Sequence, residues 1–136
     1  MAAVAKAGTP SVASRTPTAE HVTIARASVD IGAGDACYLT GTMSADLPVA
    51  ALATGAAANA AATVEGLAAA AAQAGEPVTL YRGGVHMHYG SGLTPGAGYF
   101  LSGTVPGGLD TVASTGGVVV IARAINASVI RVMANI

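Results

Sequence analysis

His86 and His88 are the residues of this chain best placed to do chemistry together. They stand two apart in Val85-His-Met-His-Tyr89, and on a strand residues i and i+2 share a face. Two imidazoles so placed can both reach one divalent ion, but a zinc site needs a third or fourth ligand. His21, Cys37 and Asp110 have suitable chemistry, yet nothing in the sequence brings them to the pair. His86 and His88 are therefore expected on a solvated or interfacial polar face, without metal. Catalytic patterns are missing as well. No Gly-x-Ser-x-Gly elbow raises a serine for attack, and the seven acids are scattered over turn-like stretches with no paired carboxylates in a recognisable frame. Gly32-Ala-Gly34 and Gly90-Ser-Gly92 lack the Lys-Ser/Thr that completes a phosphate loop, so these glycines are expected in turns that need positive φ. Asn126-Ala-Ser128 matches a glycosylation sequon, expected to be a chance match because residues 1–19 hold no compact apolar run that reads as a secretory signal. Cys37 is alone, so no intrachain disulfide can form, which fits folding in a reducing cytoplasm. The expectation is a protein that works by binding, with no catalytic residue, cofactor or metal.

The elements that would position these residues are short. Residues 1–19 contain Pro10 and Pro17 among Ser and Thr and read as an extended arm. The arm carries Lys6 and Arg15 and no acid, a composition that faintly resembles a transit peptide. It has no hydrophobic period, so it is expected to be mobile until it meets a partner. Glu20–Ala25 alternates like a strand. Ile31–Asp35 is a turn, Ala36–Thr40 a second strand, and Gly41–Ala61 a low-complexity loop. Over Thr63–Gly75 alanine favours helix, but Gly66 interrupts it and leaves a run too short to stand alone. A strand over Val64–Ala69 with a turn at Gly75 is the preferred reading. Glu76–Tyr81 and Val85–Tyr89 flank Gly83-Gly84, which predicts a hairpin. Val85, Met87 and Tyr89 would then share its inner face. Gly98–Ser102, Gly117–Ala124 and Ser128–Ala134 are further strands, with turns at Gly92–Gly96 and Pro106–Gly108 and a connection at Asn126. Short strands at this spacing predict an all-β fold, a small sandwich or barrel of jelly-roll type over residues 20–136.

Composition limits the function. Of 136 residues only 10% are charged, the net charge is −1, and there is no Trp and one Phe. Six cations are too few for a nucleic-acid footprint. No basic amphipathic helix suggests a membrane surface. The apolar stretch from Leu47 to Gly75 is long enough to span a bilayer, but Asn59, Glu65 and Gln73 interrupt it. A core built mainly from Ala is thin, since burial stability follows apolar area. Such a chain is expected to bury further surface against itself or a partner.

The segments Gly34-Asp-Ala-Cys-Tyr-Leu39, Val64-Glu-Gly-Leu-Ala68, Ala74-Gly-Glu-Pro-Val78, Gly84-Val85, Gly92-Leu-Thr-Pro-Gly96, Tyr99-Phe-Leu-Ser102, Gly107-Gly-Leu109 and Val119-Val-Ile-Ala-Arg-Ala124 occur in that order. From Ile31 to Val132 this run resembles the small decoration, or cement, proteins on the heads of tailed bacteriophages. Order and spacing carry the likeness. It departs from the pattern at Cys37, at Arg123, at His86 and His88, and in a longer Ala-rich insert after Gly41. The resemblance implies an all-β virion protein, made in the host cytoplasm and added to the outside of the head. There it would bridge neighbouring major capsid subunits and associate with itself as a dimer or trimer, touching neither nucleic acid nor membrane. Related modules occur in phage tails and fibres, which is the alternative.

Overall fold

The computed structural model describes residues 3–6, 8–12 and 22–134. Their strands are β1 Ser11–Val12, β2 Val22–Ala27, β3 Ala36–Ser44, β4 Leu47–Leu52, β5 Gly66–Ala68 and β6 Pro77–Tyr81. They continue with β7 His86–His88, β8 Gly98–Leu101, β9 Leu109–Asp110, β10 Val120–Ala124 and β11 Val129–Val132. One 3-10 turn, Ala60–Ala62, is capped by the Asn59 side chain. The fold is all-β. Strands β2-β4-β3-β5-β6 close into a barrel, and β1-β7-β11-β10-β8-β9 form a six-stranded sheet.

Alternation decides which side chains go inside. In β6 Val78 and Leu80 point into the barrel, where they meet Ala25, Ala27, Cys37, Ala50 and Ala68. Val85, Met87 and Tyr89 enter a second cluster with Leu67, Tyr99, Leu101, Ile121 and Ile130, as their period of two predicted. The barrel interior is mostly methyl groups because five strands leave little room inside. β5 belongs to both clusters: Leu67 faces the sheet and Ala68 faces the barrel. The strand reading of Val64–Ala69 thus corresponds to β5, and Gly75 turns at φ +91°.

Two expectations need correction. The segment 41–61 is not one long loop. β3 runs on to Ser44 and turns back through Ala45 and Asp46 into β4. Both turn residues have positive φ, 51° and 66°, the mirror-image turn that suits strand twist. Glycine normally marks that turn, and its absence here hid the hairpin. Nor do Gly83 and Gly84 join a hairpin. β6 pairs with β2 and β5, whereas β7 pairs with β1 and β11. The Gly83 and Gly84 amides donate to the carbonyls of Ala134 and Val132, so this link carries the chain from barrel to sheet.

Ala45 lacks the side chain that would ease a left-handed backbone, which costs about 1–2 kcal/mol for an L-residue. Ala45→Gly should therefore raise the thermal midpoint by a few degrees, after the entropy lost in the unfolded chain is counted. An unchanged or lower midpoint in a melting experiment would show that this turn is unstrained.

The described part of the arm lies against the sheet. Ala3 bridges Asp110 and the Val4 amide donates to Leu109 at 2.9 Å, at the β9 edge. Ser11 and Val12 pair with His88 and Met87 at the β7 edge. The arm thus reaches both edges of the sheet. Lys6 forms an ion pair with Asp35 and donates to the Ala33 carbonyl at 2.8 Å. Pro10 is buried against Gly34, where a Cβ would lie 2.8 Å from its ring. Backbone pairing and one proline supply these residues with the contacts that a hydrophobic period did not. Arg15, Pro17, Glu20 and His21 lie outside the described residues.

Candidate interaction surface

The residues with chemical potential are kept apart. His86 is half-buried and His88 exposed on β7. Cys37 is fully buried inside the barrel, and Asp110 is buried on β9 at the far edge of the sheet. Among the described residues no three of His, Cys, Asp and Glu lie close enough to share an ion. Cys37 is no nucleophile at neutral pH, because burial and then the nearby Asp35 carboxylate push its thiol up to about 12. Tyr89 is raised too, first by burial and then by Asp35.

Of Gly32, Gly34, Gly90 and Gly92 only Gly34 has the expected positive φ, +80°; the others serve close packing or lie in open turns. The Gly32 amide donates to Asp35 Oδ2 at 2.8 Å and ties the 32–35 turn to its own carboxylate. At Gly90 a Cβ would stand 2.9 Å from the Ala5 carbonyl, so this glycine lets the arm approach. Asn126 Oδ1 accepts from the amides of Ser128 and Val129 at 2.9 and 2.8 Å and shapes the turn between β10 and β11.

The chemistry left on the outside is charge and shape. On the sheet, Arg123 lies opposite Arg131, and Arg131 lies opposite His86. Three strands thus contribute one basic row. Arg123 donates to the Gly96 carbonyl at 2.9 Å. Residues 82–134 also hold Arg82, and their single acid, Asp110, is buried. Residues 22–81 carry five acids, Asp30, Asp35, Asp46, Glu65 and Glu76, against one cation, Arg26. The barrel is therefore acidic and the sheet basic, which the net charge of −1 conceals. Sequence reasoning noted Arg123 only as a departure from a pattern. A signal for the row was present: Ala122-Arg-Ala124 and Ile130-Arg-Val132 each put one cation in an outward slot of an apolar strand.

Comparison of the chain with protein-family models, with curated proteins and with solved structures found no match.

Proposed function

We propose that this chain is a structural virion protein that binds the outside of a phage capsid and cements neighbouring major capsid subunits. It acts by binding and not by catalysis. The observation that carries the reading is the ordered run of segments from Gly34 to Ala124, which resembles the head decoration proteins. Physical features support it. Each segment lies at a turn, on a strand or where the two meet, so the likeness follows the framework of the fold. The barrel core is largely alanine, and a thin core leaves much to gain from burying surface on a shell. Met43, Val118 and Val119 are among the large apolar side chains left exposed, at 63, 66 and 68%. Few charges have to be desolvated when such a surface docks.

The test is reconstitution. Purified protein mixed with expanded heads that lack it should bind saturably at hundreds of copies per particle. It should also raise the temperature at which the heads rupture. Labelled protein found on tails alone would favour the tail or fibre alternative. Failure to bind any part of the particle would overturn both.

A further inference from the structure

We propose that Asp46, at the tip of the β3–β4 hairpin of one copy, docks between Arg123 and Arg131 of a neighbouring copy and ties molecules on the shell to one another. The inference rests on the shell-binding reading and names the contact between copies that such a reading leaves open.

The hairpin is built to project. Beyond Leu39 the residues Thr40 to Met43 are exposed, as are Ala45 and Asp46. The turn has two residues, since Ser44 pairs with Leu47. Glycine is the residue that such a turn favours at φ +66°, yet position 46 keeps a carboxylate. Among the described residues no cation pairs with Asp46.

The receptor is equally uncompensated. Arg123 and Arg131 face each other across adjacent strands, an arrangement that costs stability when no acid intervenes. No carboxylate of the described residues pairs with either. Beside them lies an open cavity of about 260 Å³ lined by Gly96, Arg123, Ala124, Ile125 and Arg131. It is wide enough to admit a carboxylate side chain, and guanidinium forks hold carboxylates with two parallel hydrogen bonds. Ile125, 39% exposed, offers an apolar wall to Met43, which stands beside Asp46 at the tip. An acid with an apolar neighbour thus matches a basic pair with an apolar neighbour. Both halves belong to the same chain, so a second copy supplies the partner.

Sedimentation of the purified protein tests this with a charge swap. The wild type should self-associate, and more weakly as salt rises, because exposed charges are screened. Asp46→Arg alone, and Arg123→Glu with Arg131→Glu, should each weaken association at least about tenfold, since each sets like charges together. An equimolar mixture of the two variants should restore it, because every contact in an alternating assembly then joins opposite charges. The idea fails if the wild type stays monomeric, if the reversed variants associate normally, or if mixing restores nothing. Head binding measured in parallel separates the two proposals. Monomers that decorate heads would sink this contact and leave the capsid reading standing. Associating protein that ignores heads would do the reverse.

Discussion

Leu67→Ala should lower unfolding stability by about 2–5 kcal/mol, and the melting midpoint by roughly 8–20 °C for a chain of this size. Leu67 is fully buried among Ala36, Met87, Tyr99, Leu101 and Ile130. Its strand is short and closes the barrel by joining β3 to β6. Truncation leaves a cavity where barrel and sheet meet, and the surrounding large side chains are close-packed, so they relax into it only in part. Gly66→Ala should cost a similar amount by overpacking, about 1–3 kcal/mol or more. Its Cβ would lie 2.6 Å from the Tyr81 carbonyl oxygen and 3.2 Å from Leu80 Cβ. The first is backbone in a paired strand and cannot yield without breaking the ladder. Val105→Ala, at a side chain 47% exposed, should be close to neutral and serves as the control. Thermal melts of the three variants check the set. If Leu67→Ala and Gly66→Ala melt with the wild type, β5 does not hold barrel and sheet together.

Stability should also fall steeply as pH rises above 9. In the folded protein Cys37 keeps its proton up to about 12, whereas the unfolded chain releases it near the ordinary 9.0. Between those values the unfolded state binds fewer protons, so raising the pH draws the equilibrium toward unfolding. The contribution is complete below pH 9 and is lost as pH climbs toward 12. It is worth on the order of 4 kcal/mol, a large share of a typical domain's stability. Tyr89 is raised by the same kind of burial and acts in the same direction. Urea midpoints taken from pH 7 to 11 should therefore decline in the wild type. Cys37→Ala should flatten much of that decline, whatever it does to the midpoint at pH 7. Parallel curves for the two proteins would show that the thiol is not the source.

The strand segments were legible where local rules act alone. Val85, Met87 and Tyr89 announced a buried face because alternation is a property of any strand. Gly96, Gly75 and Gly107 marked turns because only positive φ was needed there. The β3–β4 hairpin was hidden because Ala45 and Asp46 adopt a turn that glycine usually signals. Met43 and Asp46 could not be placed at a tip without it. Arg123 and Arg131 were not read as a pair, because their opposition depends on a register that only the Asn126 turn sets.

The amino-acid sequence by itself determined that this protein is all-β and which face of most strands is buried; the small-side-chain core expected from composition holds for the barrel, whereas the sheet packs on Leu, Met, Tyr and Ile. Those properties follow from each residue and its near neighbours. Only the tertiary structure decided which strands pair. It parted β6 from β7 across Gly83-Gly84 and paired β2 with β4 in parallel. It also drew residues 3–6 and 8–12 to the two edges of the sheet and set Arg123, Arg131 and His86 side by side in one row. Pairing joins residues far apart in the chain, and a strand edge offers the same amide and carbonyl groups whatever its sequence. Partner choice is therefore settled by how all the buried faces close together, and no local segment records it.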